Sequence, residues 1–575
     1  MNYTLNKYKK EITEEVNRIL GSDLIVAGDI AYPPNPEMGD LSLPMFKLAK
    51  ELKKNPIEVA EDLMRNIKKD YIACIKIVGP YLNFVLNNKK LAQSILIEVQ
   101  NQKDEYGTND SGENKKVMIE YSNVNTHKQF HVGHLRNICY GDAIYRILKA
   151  NGYISVPVSY VNDFGIHVAK TLWAFLEFYK NEPLPENKGK FLGDVYVRSV
   201  QESEDNKFAK QMIEIIMKKI ESRKGEEYEL WKSTRKWSIQ QFENIHKELG
   251  VKFERKYYES EYIERGREIV AELIKRGILV KSDGAIIANL EDYDLGVLIF
   301  LRSDGTATYP VADLGLAMEK IKEFKLDQSI YVVDVRQSLH FKQLFKVFEL
   351  AGMKADFKHL KHDFVKLPSG MMSSRSGNTV TYEDLIEQMM VYTKNETKER
   401  HEDWNEEKIT DVAKKISIGA IKFEMLKVGV NQEITFDIKN ALSFNGFTSA
   451  YLQYTYARIN SIINKSKVVR PRRISQKTMK DCWLKNLEDN KEHQLILKIA
   501  KYPEIVIMAG VKSDTSEVAK YLFELAKDFN DYYHATKIIQ EDKDLEGARI
   551  ALIASINQII KNGLDLLGIG IVNEM

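Results

Sequence analysis

The 575-residue sequence is poor in cysteine: Cys74, Cys139 and Cys482 are the only three, and they lie far apart. They form neither a CxxC knuckle nor a disulfide framework, so no zinc site is expected and a reducing, cytoplasmic compartment is. Long apolar runs are missing as well; none approaches the roughly 20 residues that cross a bilayer, so no membrane association is expected. The N-terminus, MNYTLNKYKKEITEEV, is charged at once and has no apolar core of the kind that marks a secretory signal. Charge of one sign is also lacking: 84 Lys and Arg against 82 Asp and Glu leave +2. That balance excludes a histone-like polyelectrolyte but not a nucleic-acid partner, because local basic patches cancel in the sum. No internal repeat or low-complexity segment stands out. What is there is ordinary for a soluble globular chain, with 44% hydrophobic and 29% charged residues. At roughly 100–200 residues per domain, the length predicts about three to five domains.

Three regions differ in pattern. Residues 1–110 predict a small α/β unit. Helical apolar spacing runs from Tyr3 to Leu20, and PPNPEMGD (33–40) reads as a loop. Further helix is punctuated at Asn55-Pro56, and YIACIKIVGPYLNFVLN alternates as strands do, broken at Gly79-Pro80. The polar run GTNDSGENKK (107–116) is the first linker. Residues 111–395 open on the β-rich KVMIEYS (116–122), then a polar loop, the amphipathic helix HVGHLRNICYGDAIYRILKANGY and a second strand, ISVPVSYVN. Strand, crossover helix, strand is the unit of a parallel sheet. GVLIFLRSD (296–304) and SIYVVDV (329–335) are expected to join the same sheet, with a mostly helical, charged insertion over about 185–290. From 396 to 575 long helical patterns predict an all-α bundle, interrupted by the basic KSKVVRPRRISQK (465–477).

Two elements carry chemistry. His131-Val132-Gly133-His134 stands between the first strand and its helix. A glycine there lets a ligand approach the backbone closely. The helix N-terminus offers unpaired N–H groups and a positive dipole end, which suits phosphate. Two imidazoles at that point can donate hydrogen bonds to charge developing on a transferring phosphoryl group. The bland reading is a pair of surface histidines near a helix cap. The second element, Met371-Met372-Ser373-Ser374-Arg375-Ser376-Gly377-Asn378, would alone be a solvated turn. It gains meaning from following the second half of the sheet, where class I aminoacyl-tRNA synthetases carry a mobile ATP loop.

Seven segments then stand in one order: GPYLNFVLN (79–87), IEYSNVNTHKQFHVGHLRN (119–137), NDFGIHVAK (162–170), DGTATYPVADLG (304–315), YVVDVRQSLHFKQL (331–344), AYLQYTYARI (450–459) and GLDLLGIGIVNEM (563–575). Through them the sequence resembles the arginyl-tRNA synthetases nearly end to end. The resemblance implies an α/β fold: a Rossmann-type parallel-sheet catalytic domain (111–395), an N-terminal α/β additional domain (1–110) and a C-terminal all-α anticodon-binding bundle (396–575). It implies activation of L-arginine by ATP, with Mg²⁺, followed by transfer to tRNA(Arg), with bound tRNA needed for activation. It also implies a monomer.

The resemblance places arginine at Glu120, Asn125, His131, Tyr309, Asp313 and Gln337. A guanidinium is planar, has five donors and stays charged, so carboxylates suit it. One carboxylate is expected for each cationic end, with the assignment open; Asp313 would otherwise cap a helix beginning at Leu314. ATP falls on Gly133, His134, Met372 and Ser374, and catalysis on His131, His134, Lys128, Ser373 and Arg375. The mobile loop departs from the family pattern, with Met371 and Ser374 where lysines are usual; Lys128, just before the HVGH, stands where a substitute cation is found. For tRNA, Tyr81 and Asn83 match readers of an unpaired D-loop base, and Tyr451, Tyr454, Tyr533 and Met575 match the anticodon surface. Tyr451 and Tyr454, three apart, share a helix face, an arrangement also common in cores. The run Arg470–Arg473 is either a phosphate contact or a solvated loop.

Among rivals, a cysteinyl enzyme wants zinc-ligating cysteines, and the valyl, leucyl and isoleucyl enzymes want a large editing insertion. A small-molecule nucleotidyltransferase has no use for the helical C-terminal region. The remaining alternative is a catalytically weakened, tRNA-binding paralogue.

Overall fold

The computed structural model describes residues 3–366, 368, 380–466 and 487–575. The loop residues Met371, Met372, Ser373, Ser374 and Arg375 lie outside the described residues, as do Arg470–Arg473.

In the N-terminal region the first helix is Thr4–Leu20, with Leu5, Tyr8, Ile12 and Val16 buried at the spacing of one helical face. It stops at Gly21, whose φ of +69° closes the last turn. Strands β1 (Leu41–Pro44), β2 (Ile72–Val78) and β3 (Tyr81–Leu86) form an antiparallel sheet in the order β1-β3-β2. Gly79, φ +57°, makes the tight β2–β3 turn with Pro80.

The central sheet is built from β4 (Lys116–Glu120), β5 (Val124–Asn125), β6 (Ile154–Asn162) and β7 (Arg255–Tyr258), joined later in the chain by β11 and β12. Between them, β8 (Val280–Ser282), β9 (Ala285–Asn289) and β10 (Val297–Leu301) form a separate antiparallel sheet. The expected membership of GVLIFLRSD in the central sheet is therefore wrong. Leu298 and Phe300 are buried against Ile269, Leu273 and Leu314, whereas Val297 and Ile299 are exposed. That is the alternation of a sheet with one wet face.

β11 (Gln328–Asp334) and β12 (Asp356–His362) complete the central sheet, all parallel, in the order β12-β11-β4-β6-β5 with β7 beside β6. Val117, Met118 and Ile119 of β4 are all buried, as befits a strand covered on both faces. Because β4 is flanked by β11 on one side and β6 on the other, the chain leaves it in opposite directions. A crevice opens at the carboxyl ends of strands at such a switch point. The expected 185–290 insertion also needs amending. Helices Lys188–Ser203, Lys207–Glu221 and Glu226–Glu248 pack in a cluster of their own with helix Ile166–Phe178, but β7 within that span belongs to the central sheet.

The C-terminal region is helical, with Glu406–Leu426, Ser449–Lys465, Asn490–Lys512, Ser516–Ala535 and Lys543–Leu566. Residue 396 falls inside the preceding helix, Tyr382–Arg400, rather than at a break. The bundle docks on helix Val132–Ala150: the Tyr140 hydroxyl donates to the Ser513 carbonyl at 2.7 Å, Asn151 Nδ2 to the Val506 carbonyl at 3.0 Å, and Arg146 pairs with Asp565 at 3.1 Å. It reaches the N-terminal region through His493 and Asp40, 2.8 Å apart and buried. Among the described residues no helix is long and apolar enough to cross a membrane.

Candidate active site

The chain leaves β4 at Glu120 and reaches helix Val132–Ala150 through a loop that His127 anchors. Its φ is +61°, its Nδ1 lies 2.9 Å from Thr126 Oγ1 and its Nε2 lies 2.8 Å from Thr234 Oγ1. Burial pushes its pKa down to about 3, so the ring is a neutral bracket. The next residue, Lys128, holds its ammonium 5.2 Å from the Tyr196 ring centroid.

His131 is the helix N-cap. Its Nδ1 accepts the Gly133 N–H at 3.1 Å, and its own N–H donates to His134 Nδ1 at 3.2 Å. The two rings stack with centroids 4.0 Å apart. Burial first, then the charges of Lys128 and Arg336, lower the His131 pKa to about 4. Burial, His131 and Lys128 hold His134 well below the usual range. With each Nδ1 accepting, the neutral rings carry their protons on Nε2. The helix N-terminus thus bears two side-chain N–H donors and no titrating charge near pH 7. Gly133 is needed for a reason other than ligand approach: a Cβ there would lie 2.9 Å from the His131 ring.

The same point is tied to the segment that begins at Val380. Val132 N–H donates to the Val380 carbonyl at 3.2 Å, Tyr382 N–H to the Phe130 carbonyl at 3.0 Å, and His131 bridges to Thr381. Beneath, the buried Arg136 guanidinium donates to the carbonyls of Gln432 (2.7 Å), Val430 (3.1 Å), Gly429 (3.3 Å) and Phe364 (3.4 Å).

Glu120, Asn125, Tyr309, Asp313 and Gln337 line one cavity of about 570 Å³ at the carboxyl ends of the strands; His131 is outside its lining. Asp313 is not the cap of a helix beginning at Leu314. The helix is Tyr309–Phe324, so Tyr309 and Asp313, four apart, stand on one face. Asp313 Oδ2 lies 3.2 Å from His340 Nε2. Glu120 is buried and paired with the ammonium of Lys320, which is also buried, and its Oε1 accepts from Asn123 Nδ2 at 3.3 Å.

Sequence reasoning missed two charged groups here. Lys320 lies two turns beyond Asp313 on the same helix, a spacing visible in the sequence. Glu259 opens helix Glu259–Lys275 at the end of β7, is 6% exposed, and accepts from Asn162 Nδ2 at 3.0 Å. Burial, then the charges of Asp313 and Asp163, raise its pKa to about 8. Asp163 is answered by Arg235 at 2.5 Å, but among the described residues no cation pairs with Glu259. Tyr309 joins this cavity to a second one of about 680 Å³ that Glu259 lines.

Of the residues expected to meet tRNA, Tyr81 is 40% exposed and Phe46 meets its ring edge-on at 5.8 Å. Asn83 is 1% exposed beside Gly39, and neither atom of its amide has a hydrogen-bond partner among the described residues. In the bundle, Arg458 ties the expected tyrosines together. It donates to the Tyr454 hydroxyl and to Asn530 Oδ1, both at 2.8 Å, and lies 5.8 Å from the Tyr533 ring. Asn530 Nδ2 in turn donates to the Tyr451 hydroxyl at 2.9 Å. Phe444 meets Tyr454 edge-on at 6.3 Å and lines a small cleft with Met575. Arg458 and Phe444 were not singled out from sequence.

A parallel sheet whose first crossover helix opens on stacked imidazoles, continued by a helical bundle, is the build of a class I aminoacyl-tRNA synthetase. The family described as "tRNA synthetases class I (R), catalytic domain" matches residues 94–438, the arginyl-tRNA synthetase N-terminal domain matches 6–86, and the DALR anticodon binding domain matches 452–575. The arginine–tRNA ligase of Clostridium acetobutylicum is 34% identical over 572 residues, 99% of this chain and 100% of the relative. That of Clostridium botulinum strain Loch Maree is 35% identical over 573 residues, with the same coverage. The Thermus thermophilus arginyl-tRNA synthetase structure superposes with a TM-score of 0.82 at 26% identity, covering 100% of both chains. The Plasmodium falciparum arginyl-tRNA synthetase shares the fold, with a TM-score of 0.78 at 22% identity over 100% of this chain and 99% of that one. The chain belongs to the arginyl-tRNA synthetase family. Nothing in these comparisons favours a weakened, tRNA-binding paralogue.

Proposed function

We propose that the protein is an arginine–tRNA ligase in which arginine lies in the cavity at the strand ends and ATP on the helix N-terminus beside it. The observation that carries the assignment is the gathering of Glu120, Asp313 and Glu259 around the carboxyl ends of the parallel strands, one crossover away from His131 and His134. Asp313 and Glu259, neither answered by a lysine or arginine among the described residues, receive the guanidinium with the Tyr309 hydroxyl. Glu120, at the end of the strand that leads to His131, receives the α-ammonium with Asn125 and Gln337. This leaves the arginine carboxylate directed toward the nucleotide. It attacks the α-phosphorus, pyrophosphate leaves, and the terminal ribose hydroxyl of tRNA(Arg) then takes the arginyl group.

No side chain need form a covalent intermediate, so catalysis rests on positioning and charge stabilisation. His131 and His134 donate to the α-phosphate; Gly133, Met372 and Ser374 hold the nucleotide; Lys128, Ser373 and Arg375 hold the pyrophosphate. Mg²⁺ enters on the triphosphate, its usual mode with nucleotides. Residues 1–110 meet the tRNA D-loop through Tyr81, with Asn83 beneath it, and 396–575 meet the anticodon through Tyr451, Tyr454, Tyr533 and Met575, around a catalytic unit of 111–395. The enzyme works as a cytoplasmic monomer.

Attachment of radiolabelled arginine to tRNA in the presence of ATP tests the assignment; the absence of any arginine-dependent charging would remove it. Because Glu259 is protonated below about 8 while the cavity is empty, arginine binding releases a proton and tightens as pH rises toward 8. Calorimetric titration with tRNA present, at pH 6.5 and 8.5, checks this, and Glu259→Gln flattens the rise. Tyr454→Ala raises the KM for tRNA about tenfold, as loss of one base-stacking contact does, and leaves the KM for arginine in place. An unchanged tRNA KM would assign Tyr454 to the core.

A further inference from the structure

Arginine carries two positive charges, the α-ammonium and the guanidinium; its proposed cavity is lined by Glu120 and Asp313, and Glu259 stands in the adjoining cavity that Tyr309 shares. The surplus negative charge is met from within. Lys320 is 1% exposed at its side chain, pairs with Glu120 Oε2, and lies 5.1 Å from the Tyr331 ring and 5.3 Å from the Tyr257 ring. The other cation of the cavity lining, Arg336, is spent on Asp334, to which it donates twice at 2.9 and 3.0 Å. Once Glu259 gives up its proton on binding, Glu120, Asp313 and Glu259 set against the one buried ammonium leave two negative charges for two incoming positive ones.

We propose that Lys320 is a positioning residue for arginine: it fixes one oxygen of Glu120 and leaves the cavity short of two cations rather than three. The reading rests on the assignment of this cavity to arginine. Several groups face Glu120: Asp313 and Lys320 from helix Tyr309–Phe324, Tyr160 from β6, Tyr331 from β11 and Asn123 from the following loop. Of these Lys320 alone is cationic. Its ammonium, capped by two aromatic faces, cannot swing to solvent. The Glu120 carboxylate is therefore held in one rotamer, with Oε1 toward Asn123 and the cavity. A buried carboxylate stripped of that partner takes up a proton and loses the charge that attracts an ammonium.

The test is a double-mutant cycle read by arginine-dependent pyrophosphate exchange with tRNA present. K320M is expected to raise the arginine KM by about 10- to 100-fold, the cost of breaking a buried pair, with turnover changed much less. K320R is expected to recover most of the loss. The E120Q/K320M double variant is expected to be no worse than E120Q alone, since Lys320 acts through Glu120. An arginine KM for K320M equal to that of the parent would overturn the proposal, and so would additive losses in the double variant. Failure of the parent protein itself to show arginine-dependent exchange would instead overturn the assignment of the cavity.

Discussion

Replacing His134 by alanine is expected to lower the turnover of arginine-dependent pyrophosphate exchange by ~10²–10³-fold, the usual effect of removing one donor aimed at developing charge. The arginine KM should move by no more than a few-fold. The split follows from where the ring stands. His134 is outside the lining of the arginine cavity, its Nδ1 is occupied by the His131 N–H, and its remaining N–H stands at the helix N-terminus where the triphosphate is placed. Because both imidazoles are neutral in the empty protein, with the His131 pKa at about 4, neither should impose a pH limb on turnover between 6 and 8. Comparable losses in turnover and arginine affinity would mark His134 as a packing residue under Phe130, whose ring lies 5.1 Å away.

Asp313→Asn is expected to have the opposite signature. The substitution keeps the shape and removes the charge, so the guanidinium is left with Glu259 alone. Truncating one partner of a desolvated charge pair costs about 3–4 kcal/mol, or ~10²–10³-fold in arginine KM. The His340 ring, 3.2 Å from Asp313, cannot make up the loss because it offers no negative charge. Kinetics across arginine concentrations check this, and an unaltered arginine dependence would take Asp313 out of the pocket.

The two residues belong to elements that differ in how plainly the sequence announces them. The HVGH helix is long, periodic and bounded by Asn151-Gly152, and its position after a strand is what makes the motif legible. The residue set Glu120, Asn125, Tyr309, Asp313 and Gln337 came from a resemblance and meets in one cavity because four of its segments end or begin at the same edge of the sheet. Glu259 stayed hidden because β7 is four residues long, RKYY, and is flanked by charge inside a helical stretch. No periodicity can declare so short a strand, and without the strand its terminal carboxylate has no address. Lys320 was overlooked for a different reason. A lysine in a surface-type helical pattern reads as solvated, and only the tertiary approach of β4, β7 and β11 buries it.

The strand assignment failed at β10 because GVLIFL is apolar throughout, the pattern of a strand buried on both faces, whereas Val297 and Ile299 are in fact exposed. Composition cannot tell these apart. Asn83 is similar: a strand position says which face a side chain takes only once the register is known, and here it pairs with Ser42 and Lys76 under the cover of Gly39.

The central claim is that a fixed positive charge on a planar side chain is what the strand-end carboxylates select. Citrulline has the shape of arginine and lacks that charge, so pyrophosphate exchange with the two amino acids side by side, with tRNA present, isolates it. The account predicts exchange with arginine and a kcat/KM for citrulline lower by ~10³-fold or more, since the carboxylates would be left buried and unpaired. Citrulline within about tenfold of arginine, a difference that shape alone can produce, would contradict it.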